Sequence, residues 1–393
     1  MAGTTVGAAG TPWRATVTPW GAVEPWDGTP ALEWWIGADD RWHVPSREAA
    51  VRQRLLDGSP VVETSVRVPS GDAVQRVYVV PDRGGLTVVE VENQSPLPFA
   101  VAFSRADLLS ARGPSSVPVT GIELPPGAAV FPVAHRTTLR VALAHRDPAP
   151  GPLPDRLPAP AQVARGWLAQ ADGGVRLVLP DTALGERVVG ERCRLLLEGP
   201  VLPDVDPVGF LLGVAELCRL GEAAAPWAPE VAAAAEGVAR SLRHRRADWD
   251  HTAALEAAEE VLRRGGEHRA AADVRALRER AGEPGPVPAG PPGDVRLLAW
   301  VLGAVVRATA AGADLLPRFP AAWLGQGVEV YRAPVPAGLV SFAVRWHGER
   351  PALLWECSAP MTLTCSGLDP SWSASGERGE ALLGVPPADL GGR

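Results

Sequence analysis

Residues 61–68 (VVETSVRV) place Val62, Thr64, Val66 and Val68 on one face and Glu63, Ser65 and Arg67 on the other. That is the two-residue period of a half-buried strand. Similar runs follow at 73–80 (AVQRVYVV), 86–92 (LTVVEVE) and 98–104 (PFAVAFS). They are separated by SGD (70–72), RGG (83–85) and NQSP (93–96), residues that tolerate turn geometry. Regularly spaced short strands between turns predict an antiparallel sandwich over residues 1–200. Around 145–160 the chain is too proline-rich for regular structure and reads as an extended surface loop. Strand signals resume at 174–180 (GVRLVLP) and 192–200 (RCRLLLEGP).

The period changes at Asp206. Asp206-Pro207 reads as an N-cap followed by a first-turn proline, and with Gly221 as terminator it predicts a helix over 207–220, apolar nearly all round. Further helices are predicted over 229–245, 251–264, 267–281 and, with Asp294 as cap, 294–311. The last contains Leu297 to Val306, an apolar run about half as long as a bilayer requires, so it reads as a core helix. After Pro317 strand patterns return, as GVEVYRA, GLVSFAVRWHG, PALLWECS and MTLTCSG. The expected fold is therefore mainly β with an α-helical domain: a β-sandwich (1–200), a five-helix region (201–315) and a small C-terminal β region (316–393).

Composition narrows the chemistry. All 38 basic residues are arginine, because the chain contains no lysine. A Schiff-base lysine, a phosphate-loop lysine and a lysine general base are thereby excluded. The net charge of −7 is spread along the chain without a basic stripe, so nucleic acid is not an expected partner. The N-terminal residues lack a basic stretch followed by an apolar one, which predicts a cytoplasmic location without a membrane partner. The four cysteines, Cys193, Cys218, Cys357 and Cys365, show no metal-binding or disulfide spacing. Free thiols are expected, with Cys357 and Cys365 facing each other across a hairpin. No cofactor or metal is expected. Asn93-Gln94-Ser95 fits a glycosylation sequon but reads as a turn.

Three segments carry a resemblance. PVVETSVRVPSGDAVQRVYVV (60–80) and LTVVEVENQSPLPFAVAF (86–103), with its N-x-S-x-x-P turn, resemble strand pairs in the supersandwich of two-domain glycosidases, and FAVRWHGERPALLWE (342–356) resembles their closing β-region. The resemblance implies carbohydrate chemistry and a six-hairpin helical barrel beside the sandwich. The five helices predicted here fall short of that barrel. No position matches the family's catalytic carboxylates, so the resemblance assigns no catalytic residue.

Six of the fourteen tryptophans lie in the first 42 residues. Such a cluster forms either an aromatic core layer or a stacking platform for a sugar. Within it, Glu33-Trp34-Trp35 and Asp39-Asp40-Arg41-Trp42-His43 read as a hairpin. Most of the six are expected to be buried, and Trp35 or Trp42 to be exposed beside Glu33 and His43 as a ligand site. A second cluster, Asp248-Trp249-Asp250-His251, stands at a helix start, where aspartates cap orphan N–H groups. With Glu33, Asp248 and Asp250 are also the candidate carboxyl groups for glycoside hydrolysis, which needs two about 5 to 10 Å apart. Arg345, Glu349, Arg350 and Glu356 suggest a buried arginine–glutamate pair. His135, His145, His244 and His268 show no metal-like spacing. The sequence thus points to a non-hydrolytic protein that binds an oligosaccharide or a protein partner. The alternatives are a divergent glycoside hydrolase and a structural or regulatory interaction module.

Overall fold

The computed structural model describes residues 3–242, 246–282 and 285–386. His244 and the end of the helix expected over 229–245 lie outside them. The chain divides into two compact units, Met1–Leu168 and Ala169–Arg393. This division differs from the boundaries expected at 200 and 315.

The first unit contains β1 (Thr4–Gly7), β2 (Arg14–Val17), β3 (Val23–Pro25), β4 (Trp34–Gly37), β5 (Trp42–His43), β6 (Arg52–Leu55), β7 (Val62–Val68), β8 (Gly71–Val80) and β9 (Leu86–Asn93). They are followed by β10 (Phe99–Phe103), β11 (Leu109–Ser110), β12 (Ala129–Val133), β13 (Thr138–Ala144), β14 (Gly151–Pro152) and α1 (Pro160–Ala171), whose last turn passes into the second unit. A four-stranded sheet, β12-β10-β4-β5, faces a seven-stranded one, β14-β11-β13-β9-β8-β7-β6. Trp34, Ile36, Val101, Phe103 and Phe131 of the first meet Val62, Val66, Val77, Val89 and Val141 of the second in one core. The other face of the larger sheet buries Tyr78, Val88 and Ala142 with Leu157 and Ala164. Alternation along β7 holds with one exception. Glu63, on the polar face, is buried because Arg54 and Arg76 each approach it at 2.7 Å. Asn93 is also buried and forms the expected turn: its carbonyl accepts from Ser95 N–H while its amide donates to Leu97 and Val133.

The second unit runs β15 (Arg176–Val178), α2 (Thr182–Glu198), α3 (Pro207–Arg219), α4 (Ala228–Ser241), α5 (Trp249–Arg264), α6 (His268–Ala281), α7 (Arg296–Val305), β16 (Val306–Thr309), β17 (Gly312–Leu315), β18 (Val328–Val335), β19 (Gly338–His347), β20 (Arg350–Cys365) and β21 (Asp369–Leu382). The helices and the C-terminal strands share one core. The strand expected at 192–200 is helical. Leu184, Val188, Arg192 and Leu195 recur at helical spacing on the buried side of α2, and Asp181 caps its start through Leu184 N–H. Read alone, the LLLE run is ambiguous between strand and helix. The helix expected to reach residue 311 stops at Val305, where β-branched Val305 and Val306 and then Thr309 lead into a strand. Asp206 caps α3 as expected, accepting from Gly209 N–H at 3.0 Å.

All four cysteines are free and buried. Cys357 and Cys365 do not face each other across a hairpin. Both lie on β20, eight residues and on the order of 25 Å apart along one strand. Arg345 pairs with Glu329 on the exposed surface, and Arg350 donates to the carbonyls of Leu382 and Leu383, so the expected arginine–glutamate pair among 345–356 does not form. Among the described residues no helix is long and apolar enough to cross a membrane.

Candidate functional site

The hairpin β4–β5 sorts its aromatic residues by pleat. Ile36 pairs with His43 and Gly37 with Trp42, so Trp42 shares the outer face of the sheet with Trp35 and Gly37. Trp34 enters the core and its Nε1 donates to the Trp20 carbonyl at 2.9 Å. Trp35 is not exposed as expected; it retains only 9% of its surface. The exposed indoles are Trp20 (37%) and Trp26 (53%), the latter tethered by Nε1 to Thr16 Oγ1. Trp13 is half-buried and stacks on His145 with ring centroids 3.6 Å apart.

Trp42 is half-buried and lines a cleft of about 650 Å³ on the outer face of the four-stranded sheet. Its six-membered ring lies against Gly37: a Cβ at Gly37 would come within 2.8–3.0 Å of three ring carbons. Its Nε1 donates to the Thr120 carbonyl at 2.9 Å, which fixes the indole edge to the 115–121 segment. Asp39 and Asp40 on the hairpin turn, with Ser115 and Thr120 opposite, supply the polar walls. The Pro, Ser and Gly content of the 115–121 segment (SSVPVTG) signals only a loop, and nothing local marks it as a cleft wall.

His43 does not join Trp42. It faces the inner side and is buried, with Nε2 3.1 Å from Asp40 Oδ1 and Nδ1 3.2 Å from Glu48 Oε1. Glu48 also receives both guanidinium arms of Arg41, at 2.6 and 3.0 Å, which holds its carboxyl below the usual range. Slight burial pushes the Asp40 carboxyl up, but the hydrogen bond and charge of His43 outweigh it and leave the group lowered. This chain of polar contacts braces the hairpin beneath Trp42. Glu33 is exposed, anchored through its backbone to Ser104, and is not part of the cleft wall.

The Asp248 cluster behaves differently from its capping reading. Asp248 holds the N-cap position of α5 without a side-chain cap bond, and Asp250, in the first turn, pairs instead with Arg296 at 2.8 Å. Arg296 is shared with Asp206 and Asp294. His251 Nδ1 lies 3.3 Å from Asp250. Ligand atoms of Asp248, Asp250 and His251 fall within 4.8 Å of one another, yet Arg296 already neutralises Asp250. Glu33 belongs to the first unit and these aspartates to the second, where Asp248 and Asp250 do come together but Asp250 is held by Arg296.

The second unit has its own cavity, of about 330 Å³, bordered by α5 and α7. Its charged wall contains Glu256, Glu259 and Glu260, one face of α5 at helical spacing. Arg278 approaches both Glu256 (3.0 Å) and Glu259 (3.7 Å), and Arg219 binds Glu260. In the sequence, E-x-x-E-E on a helix carries no signal beyond that of a solvated face. Compared with known proteins, the chain matches no family model and no curated sequence.

Proposed function

We propose that the first unit binds carbohydrate, without hydrolysing it, in the cleft that Trp42 lines. The observation that carries this reading is the indole itself, immobilised against Gly37 and Thr120 while lining a concave site with Asp39 and Asp40. A rigid aromatic surface receives the apolar face of a pyranose, and nearby carboxylates accept its hydroxyl groups. The resemblance of 60–80 and 86–103 to glycosidase supersandwich strands supports the same ligand class. Against hydrolysis stands the engagement of Asp40 with His43, since a general acid needs a carboxyl whose pKa is raised, and this one is lowered.

Titration with malto- and cello-oligosaccharides, followed by tryptophan emission, tests the reading. Saturable change at millimolar sugar or below is expected. Trp42→Ala should abolish it, whereas Trp26→Ala should leave it intact. Asp39→Ala, at an exposed turn residue, should weaken binding without affecting folding. Absence of any sugar response, or full response in both Trp42→Ala and Asp39→Ala, would overturn the proposal.

A further inference from the structure

The cavity between α5 and α7 contains unmet polar demand. Most of its charged groups are matched: Glu259 takes Arg275 and Arg278, Glu260 takes Arg219 and Arg264, Glu256 takes Arg278, and Arg307 takes Asp314. Arg318 is different. Among the described residues no carboxylate pairs with it. Its guanidinium donates from Nη2 to the Trp300 carbonyl at 2.7 Å and lies over the Trp300 ring, 5.4 Å from the centroid. A guanidinium has five N–H donors, so one carbonyl leaves most of them unused. Burial, and then the nearby charge of Arg307, pull its pKa below the usual arginine value. Arg318 thus lines the cavity with its charge unpaired by any carboxylate of the described residues, whereas Arg307 keeps Asp314.

A second, independent group points the same way. Thr252 on α5 lines the cavity, and its Oγ1, enclosed within the wall, has no hydrogen-bond partner; a change of side-chain rotamer would turn it towards a ligand. A buried hydroxyl left unpaired costs free energy in the empty protein and repays it only when something arrives to bond it. The wall also contains apolar side chains, among them Ala257, Leu302, Val306 and Val335. A volume of 330 Å³ lies at the small end of ligand-site sizes and suits a molecule with a single six-membered ring.

We propose that this cavity binds a small hydroxylated organic anion, its carboxylate or phosphate group held by Arg318 beside Arg307 and its hydroxyl groups bonded by Thr252 and Glu256. The planar guanidinium fork accommodates either anion in a bidentate manner. The apolar wall packs against the ring, and Glu256, half exposed within the cavity, accepts from a ligand hydroxyl without losing Arg278.

Calorimetric titration of the full chain with glucuronate, glucose 6-phosphate and neutral glucose tests the proposal, the first two separating carboxylate from phosphate. At least one anion should bind saturably, with glucose weaker by roughly tenfold or more. Arg318→Gln should weaken that anion by roughly tenfold or more. Thr252→Val provides the check that does not depend on Arg318 or on folding. It should leave the thermal stability of the empty protein unchanged or raised, because the hydroxyl bonds nothing there, while weakening the anion several-fold. Binding of glucose as tight as that of both anions, no binding by either, or unaltered anion affinity in both variants would overturn the proposal.

Discussion

Among the described residues of the second unit, Arg192 of α2 and Glu216 of α3 form the most enclosed ion pair, with 4% and 2% of their side-chain surfaces exposed and 2.7 Å between Nε and Oε1. Arg192 Nη1 also donates to the Ala171 carbonyl at 3.1 Å. Replacing Arg192 with Met keeps the aliphatic packing and removes the charge. Breaking one partner of a buried pair typically costs about 3–5 kcal/mol, because a charge is stranded in the interior. Here Glu216 retains Arg219 at 3.2 Å, although that arginine is shared with Glu260. The expected cost is therefore at the lower end, about 3 kcal/mol. For a urea slope of roughly 2–3 kcal/mol/M, the midpoint falls by about 1–1.5 M.

The pH dependence gives the sharper test. Burial raises the Glu216 carboxyl, but Arg192 and Arg219 outweigh it and leave its pKa lowered. In the wild type its contribution is present above the unfolded value and is lost as pH falls through the folded one. Without Arg192 the folded pKa is expected to rise, because burial is then opposed by Arg219 alone. The penalty is then complete at neutral pH and shrinks as acid protonates Glu216 in the folded state. Urea unfolding monitored by helical circular dichroism at pH 7 and pH 4.5 should show the gap between wild type and Arg192→Met narrowing. A gap below about 1 kcal/mol at pH 7, or one that is flat between the two pH values, would refute the reasoning. Adding Glu216→Leu to Arg192→Met should recover much of the loss, since the stranded charge is then gone.

Gly37→Ala should drive its new methyl group into the Trp42 ring and lower sugar affinity while the hairpin persists; unchanged titration curves with unchanged near-ultraviolet circular dichroism would contradict it. Burial lowers the pKa of His145 to about 4, so the folded chain takes up this proton less readily than the unfolded one, whose histidine titrates near 6.5. The corresponding stability is complete above about pH 6.5 and declines as pH falls towards 4. His145→Phe, which preserves the Trp13 stack, should flatten the fall in melting temperature over that window. An identical slope in both proteins would exclude His145 as its source.

How far the sequence reveals this molecule depends on the range over which each feature is decided. Strands β7, β8 and β9 are legible because alternation and tight turns are local, and α3 is legible because Asp206 and Pro207 mark its start within two residues. Helix α2 is obscured where three leucines in a row satisfy either period, and the end of α7 where an apolar run continues across a change of structure. The tryptophans are harder still. Neighbouring Trp34 and Trp35 must face opposite sides of β4, but what covers each face is decided by strands more than sixty residues away.

The second-unit cavity was illegible for a further reason. With arginine as the sole strong cation, most ion pairs among the described residues use the same fork, and its partners are chosen by topology: Arg192 reaches 24 residues to Glu216, and Arg296 reaches 90 to Asp206. The chain has 45 acidic and 38 basic residues, so composition alone predicts a carboxylate for every guanidinium. Arg318 is left without one: it follows β17, where the acid nearest to it in sequence, Asp314, is already bonded to Arg307, Thr364 and Ser366. Asp314 is committed to holding β17 against β20, and Arg318 is left to the Trp300 carbonyl and the cavity. The local shortage of negative charge on which the anion proposal rests is thus a consequence of strand pairing, in a chain that carries an acidic surplus.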